Sequence, residues 1–414
     1  MRYNIDMTYR WIENIPAEQL DAFVESCGNG SVLQESRWAK VKENWESYFV
    51  GVSDGKQIVA TAMILSRTLV RPFTLFYIPR GPIMDFENHE LVEFFFAALK
   101  KFAKKKHAVY VKFDPLIVHS VHQPGDEVEV KETDPLTAYL KSIGMKHHGY
   151  TLDFDSTFQP RTQAVVYLNE DKPMNKKLRY YLNNAKNRHV EIVRMKEEGV
   201  DLFAELEHKT EQRKNISLRN ADYFRRLMQI YGDEADLSFA KLNVETSLLR
   251  EEQLKADLEK QLEDPKYSKK KRFEIEERLA SVNKYIDNLQ SFQKEYGNEI
   301  WISGGLIIRS GRFSELLYAG MDENFRSYRS NSSFQDALDW AKENGCEKCN
   351  TGGVEGTLDD SLTVFKQLYS PHFESYIGEF DMPVNTALYG IINTVLPFAK
   401  KARFAIAARR KQKE

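Results

Sequence analysis

Two stretches of this chain run through the same order of strands and helices, and a long insertion separates the plans. In the first, Tyr48–Val52 reads as a strand, Ser53–Lys56 as a turn and Gln57–Leu65 as the returning strand. Asp-Gly between apolar runs is a hairpin signal, because glycine supplies the positive φ that a tight turn needs. A strand at Phe73–Ile78, a helix at about His89–Lys105 and a buried strand at Ala108–Phe113 follow, ending at Asp114-Pro115. In the second, Asp236–Leu242 is answered by Glu299–Ile308, Ser310-Gly311 turns the chain, and Phe313–Ala319 is the next strand. A helix at Phe334–Asn344 then precedes a short strand near Lys348–Asn350. Strands alternating with hairpins and helices predict two α/β (α+β) units on one plan.

The copies differ inside the first hairpin, where the second copy inserts residues 243–297. The insert has no glycine before Gly297 and is rich in Glu, Lys and Leu. Ile275, Leu279, Val282, Ile286 and Leu289 follow at spacings of four, three, four and three, which lays one apolar seam along a helix. Leu248, Leu254, Leu258 and Leu262 give a looser version in the first half. Asp264-Pro265-Lys266-Tyr267-Ser268 interrupts the pattern, since proline cannot continue a helix. The expected form is an antiparallel helical coiled-coil hairpin, serving either as a strut or as a docking element. The domains expected are therefore 1–165, then 166–242 with 298–414, with 243–297 as the inserted arm.

Composition narrows the function. Net charge is −2 over 414 residues, so any contact with nucleic acid or membrane must use local basic patches. Cys27, Cys346 and Cys349 are the only cysteines, which suits a reducing cytoplasm. The single Cys346-Glu-Lys-Cys349 pair lacks two further ligands for zinc, so neither a metal nor another cofactor is expected. No apolar stretch follows Met1–Asp6, which predicts no signal peptide, and the apolar run Ala387–Ala399 is broken by Pro397. A membrane span needs roughly 20 apolar residues, so a cytoplasmic protein is expected. Nucleophile-elbow, phosphate-loop and dinucleotide motifs are missing. Thr351–Gly356 is glycine-rich but reads as a plain turn.

Duplicated units of this shape resemble the acetyltransferase (GNAT) superfamily, although no Arg/Gln-x-x-Gly-x-Gly loop for coenzyme A is present. Seven motifs in order are more specific. They are Trp38-Ala39-Lys40-Val41-Lys42-x-x-Trp45, Pro79-Arg80-Gly81-Pro82-Ile83-Met84-Asp85, Phe113-Asp114-Pro115, Gln159-Pro160-Arg161, Arg219-x-x-x-Tyr223-Phe224, Tyr318-Ala319-Gly320 and Asp360-Ser361-Leu362-x-Val-Phe365-Lys366. Across nearly the whole chain the sequence resembles the Fem-type transferases (FemA, FemX and MurM), which build the interpeptide bridge of the Gram-positive cell wall. The resemblance implies tandem GNAT-type domains, aminoacyl-tRNA as donor, and a muramyl pentapeptide as acceptor, carried by lipid II or by UDP-MurNAc. It implies that Lys42, Arg219, Tyr223 and Tyr318 contact the nucleotide, phosphate and sugar of the precursor. Phe365 and Lys366 would lie beside the reacting carbonyl, and Asp114 would handle a proton. The arm matches FemA and MurM, the FemX type being expected to lack it, and this favours the lipid-linked acceptor.

Two basic regions suit the implied partners. Lys176, Lys177, Arg179, Lys186 and Arg188, interleaved with Tyr180 and Tyr181, can track RNA phosphates and stack bases, or form a solvated helix face. Lys400–Glu414 carries seven Lys or Arg and one Glu, with Phe404 and Ile406 between them. Such a tail fits an anionic membrane surface at the inner face, with tRNA as its rival. Two other classes stay open here: an acyl-coenzyme A dependent acyltransferase and a non-catalytic coiled-coil scaffold.

Overall fold

The structure, a computed structural model, describes residues 9–124, 127–154, 156–214, 219–328 and 331–394. The start at Met1–Asp6, the end of the apolar run and the basic tail at 400–414 lie outside the described residues. The chain divides into two compact units, the first comprising 1–167, 310–313 and 350–414, the second 168–309 and 314–349.

In the first unit the expected hairpin forms from Glu46–Ser53 and Ile58–Val70, with Asp54 Oδ1 accepting from the N–H groups of Lys56 and Gln57 to close the turn. Phe73–Ile78 continues the antiparallel run and then pairs in parallel with Ala108–Phe113 across the helix His89–Lys105. Asn88 caps that helix, its side chain accepting from Leu91 N–H, and Lys104 and Lys105 sit in the last turn where the dipole favours cations. Phe380–Pro383 returns from the far end of the sequence to pair with Ala108–Phe113. Phe76, Phe95, Phe113 and Phe380 are fully buried in the resulting core. A second set of strands in this unit, Thr162–Tyr167, His372–Tyr376 and Val118–His122, pairs antiparallel in that order.

The second unit is built on Val190–Met195, Ala235–Asn243, Glu299–Ser310 and Phe313–Met321, neighbours in that order apart from the strand ends that the division assigns to the first unit. Its arm is the helix pair Val244–Glu263 and Lys269–Tyr296. Ile275, Val282, Ile286 and Leu289 are buried on the seam against Leu248 and Leu258, while Leu279, Leu254 and Leu262 are partly buried beside them. Asn243 and Ser268 cap the two N-termini. Arg272 closes the tip by donating to the carbonyls of Leu262, Asp264 and Tyr267, where the proline break leaves acceptors without helical partners. At the base, Tyr285 OH donates to Arg188 O at 2.9 Å and His189 meets Glu251 at 2.8 Å.

One local expectation fails. Thr351–Val354 is not a turn but the end of a strand, Lys348–Val354, with Thr351 Oγ1 donating to Ala164 O. Gly353 serves close packing there against Pro160 and Phe154, while Gly352 takes a φ of +88° within the strand end.

Candidate active site

Asp360 starts the short helix Ser361–Lys366, its carboxylate accepting from the N–H groups of Leu362 and Thr363. This cap sets where Phe365 and Lys366 fall. Lys366 is buried, and its Nζ donates to Gly353 O at 3.0 Å. The same ammonium lies 3.5 Å from where a Cβ would stand on Gly352, whose φ is +88°. Phe365 is half-buried with its ring centroid 5.6 Å from that of Tyr369.

Asp114 sits at the end of the strand Ala108–Phe113 and is almost fully buried. Arg80 holds it twice, through its backbone N–H to Oδ1 at 3.0 Å and its guanidinium to Oδ2 at 3.2 Å. Burial pushes the Asp114 carboxyl up to about 7 against the opposing pull of Arg80, while Glu379 nearby adds to the rise. Tyr77 faces the same carboxylate, and burial holds its phenol well above the usual range. The cavity here, lined by Arg80, Asp114, Gln159, Arg161, Tyr376 and Glu379, is about 10 Å³, room for one water.

Asp114 and Lys366 are joined through Pro160. Arg80 also donates to Pro160 O at 2.9 Å, and a Cβ on Gly353 would stand only 2.3 Å from Pro160 Cβ. The path therefore runs Lys366, Gly353, Pro160, Arg80, Asp114, all within the first unit. Gln34, fully buried, fixes the Arg80 loop from beneath: its amide donates to Pro79 O and Met63 O and accepts from Met63 N–H. Any side chain at Gly81 would meet Gln34 at 2.6 Å. Behind Asp114, Lys112 binds Glu379 at 3.1 Å and Asp381 at 2.9 Å, and Asp381 also meets His148 at 2.8 Å and Tyr389 at 2.8 Å.

Sequence reasoning quoted Arg80 and Pro160 inside motifs without giving them a role, and it missed Gln34, Lys112, Glu379 and Asp381. The available signal was Lys112 itself, a charge inside the otherwise apolar strand Ala108–Phe113.

Lys42, also in the first unit, closes the helix Ser36–Val41 with its ammonium 4.5 Å above the Trp38 ring. Arg219, Tyr223 and Tyr318 belong to the second unit. There Tyr318 OH donates to Tyr223 OH at 3.3 Å, and the Arg219 guanidinium lies 5.2 Å over the Tyr223 ring. Tyr223 and Phe224 fall on the buried face of the helix Ala221–Tyr231, whereas Arg219 precedes its cap, Asn220, and is exposed. Gly320 lets the helix Val200–Lys214 close on this strand, since a Cβ would stand 2.8 Å from Glu207 N. On the helix Lys176–Asn187, Lys176, Lys177, Arg179 and Lys186 are exposed. Arg188 is engaged inward, donating to Ser327 O at 2.9 Å with its guanidinium 5.0 Å over Tyr328. Burial pushes the Cys349 thiol up to about 12 and raises Cys346, which makes both poor thiolates.

The FemAB family matches residues 15–396. The chain belongs to that family. Relatives named Lipid II:glycine glycyltransferase are 27% identical in Staphylococcus epidermidis and 28% identical in Staphylococcus aureus, each match covering 97% of this chain and 99% of the relative. A crystal structure of FemX matches with a TM-score of 0.77 at 25% identity, covering 92% of this chain and 99% of that one. The fold of this FemAB protein is thus the tandem GNAT-like one, with a helix pair like the arm of FemX. That overturns the expectation that FemX-type proteins lack the arm, because without residues 244–296 the coverage could not reach 92%. The protein is a tRNA-dependent aminoacyltransferase acting in peptidoglycan precursor modification, which sets the scaffold and acyl-coenzyme A readings aside. Among the described residues no helix is long and apolar enough to cross a membrane.

Proposed function

We propose that this FemAB-family enzyme moves an amino acid from aminoacyl-tRNA onto the stem-peptide lysine, or a nascent cross-bridge, of lipid II. The observation that carries the reading is the full-length match to lipid II glycyltransferases, together with a buried lysine at the position where the family's reacting carbonyl is expected. The relatives' name supports the lipid-linked acceptor over UDP-MurNAc-pentapeptide.

In this scheme the acceptor amine attacks the ester carbonyl carbon. A C–N bond forms, the C–O bond to the tRNA ribose breaks, the amine gives up a proton and the ribose oxygen takes one. Ester to amide runs downhill, so the bond energy of the donor drives transfer. The acceptor's unperturbed pKa near 10.4 requires a proton acceptor. Asp114, poised at about 7 beside a cavity the size of one water, takes that proton through the water. Lys366 offers a fixed positive charge to the oxygen that becomes negative in the tetrahedral intermediate, with Phe365 shielding it from solvent. Lys42, Arg219, Tyr223 and Tyr318 hold the precursor's head group, and Lys176, Lys177, Arg179, Lys186 and Arg188 form the tRNA side. Of these Arg188 serves by holding its helix. The tail at 400–414 brings the enzyme to the inner face of the membrane.

The test is a mass-spectrometric transfer assay with pooled charged tRNAs and lysine-containing lipid II. A mass gain on the lysine amine, abolished by ribonuclease, is expected, and its size names the amino acid. No gain with either lipid-linked or nucleotide-linked acceptor sinks the proposal.

A further inference from the structure

We infer that one end of the first unit's sheet is a docking face that seats on an anionic lipid bilayer. The inference deepens the lipid II reading and rests on it for its purpose.

Topology gathers this end from distant parts of the chain. The turn between Ile58–Val70 and Phe73–Ile78 lies there, because Thr74 pairs in parallel register with Ala108 at the start of the next strand. The C-terminal end of the helix His89–Lys105 feeds that same start, and Thr74 Oγ1 donates to Lys106 O. Phe380–Pro383 runs antiparallel to Ala108–Phe113 with Pro383 opposite Tyr110, so the helical residues 386–394 emerge at this end too.

What these pieces display is unusual for a loop end. The hairpin tip reads Leu69-Val70-Arg71-Pro72-Phe73, where polar turn residues are the norm. Val70 is 73% exposed, and Ile391 on the neighbouring helix is 58% exposed. Leu69, Phe73, Leu388 and Ile392 fill in between them, half-buried against Leu75, Val109 and Tyr389. Leu388, Ile391 and Ile392 share one helix face by their three- and four-residue spacing. An exposed apolar patch of this kind marks an interaction site.

Charge identifies the partner. Arg71, Lys104, Lys105 and Lys146 are exposed around the apolar residues, and Lys106 lies 4.7 Å over the Tyr48 ring at the same edge. Lys146 Nζ stands 4.5 Å over Tyr389, directly beside the helix. Carboxylates near this end include Glu13, which meets Lys105 at 3.4 Å, Glu46 opposite Ser66 with Glu43 just before it, and the buried Asp381, which accepts from Tyr389 OH at 2.8 Å. Chain residues 400–414, with seven Lys or Arg and one Glu, begin eight positions after Ile392 in the sequence. Apolar side chains ringed by cations match the acyl boundary and anionic headgroups of a membrane surface. A folded protein partner would call for no such continuation into a basic tail.

The full chain would be sedimented with vesicles of phosphatidylcholine alone and of phosphatidylcholine with phosphatidylglycerol, beside Val70→Asp/Ile391→Asp and Arg71→Glu variants. Binding is expected only to the anionic vesicles, weakened roughly tenfold or more by the double variant and about severalfold by Arg71→Glu. Unchanged circular dichroism melting shows that the exposed substitutions leave the fold intact. Transfer to an acceptor with a shortened, water-soluble lipid chain should be unaffected in the double variant, whereas transfer to vesicle-borne acceptor falls. Wild-type vesicle binding by the double variant overturns the docking face and leaves the tail as the anchor. A dimer in light scattering that the double variant dissolves overturns it in favour of a second copy. Displacement by tRNA from the double-variant-sensitive site overturns it in favour of RNA. Absence of transfer by any form, with vesicle binding retained, counts against the enzymatic reading alone.

Discussion

Lys366 is the residue whose environment says most about its work. A buried ammonium normally carries a desolvation penalty, and here the carbonyl of Gly353 offsets part of it at 3.0 Å. Lys366→Ala should lower the transfer rate by 10²–10³, about 3 kcal/mol, with acceptor binding nearly unchanged. Single-turnover kinetics set beside equilibrium binding of the acceptor would separate the two, and equal losses in both would remove the oxyanion role. Asp114 makes a different prediction. Its carboxyl stands at about 7 in the folded protein against 3.8 ordinarily, so the folded state holds the proton to higher pH. The corresponding stability is complete below about pH 4 and is lost as pH rises through about 7. For catalysis the sign reverses, because only the ionised form accepts a proton. Transfer should therefore fall as pH drops through about 7, and Asp114→Asn should flatten that limb. A variant that keeps the wild-type profile assigns the proton elsewhere. None of the partners that set this value could be read along the chain: Glu379 is bridged to Lys112 across a separation of 267 residues, and only folding brings them together.

Among elements, the strand end Thr351–Val354 shows why close packing escapes a reading by turn chemistry. Glycine-rich runs signal turns when φ is the constraint, but at Gly353 the constraint is Pro160, which occupies the place of a side chain. Gly353→Ala should destabilise by about 1–3 kcal/mol through overpacking and should also lower transfer, because Pro160 carries Arg80. Thermal melting and the transfer assay measure the two effects, and loss of stability with full activity would break the proposed path to Arg80. The arm was legible for the opposite reason. Heptad spacing, an uninterrupted glycine-free stretch and a single Pro265 are local signals that agree with the tertiary outcome. Leu289→Ala, at a fully buried seam position, should cost about 2–5 kcal/mol. Leu249→Ala, 64% exposed on the same pair, should stay within about 0.5 kcal/mol in the same denaturation experiment. Comparable losses at both positions would mean that the outer face is covered.

At the scale of the whole molecule the balance of charge decides how a polyanion is approached. The net charge of −2 supplies no attraction over the whole surface, so tRNA must be drawn by patches that act within a Debye length. The family and its tandem plan were legible at this scale because seven short motifs kept their order along the chain. The function of any one patch was not, since exposure and pairing depend on folding: Lys176, Lys177 and Lys186 are exposed while Arg188 turns inward to Ser327 and Tyr328. That difference gives the patch a quantitative test. If the three lysines neutralise phosphates, each contributes about 0.7–0.9 to the slope of log affinity against log salt. Changing Lys176, Lys177 and Lys186 to Gln should then reduce that slope by about 2–3 and weaken tRNA binding most at low salt. Arg188→Gln should instead lower the melting temperature and leave the slope alone, because its guanidinium is spent within the fold. Fluorescence anisotropy with labelled tRNA across a salt series reads both. A triple variant with the parental slope would return these lysines to the role of a solvated helix face and move RNA recognition to another surface of the enzyme.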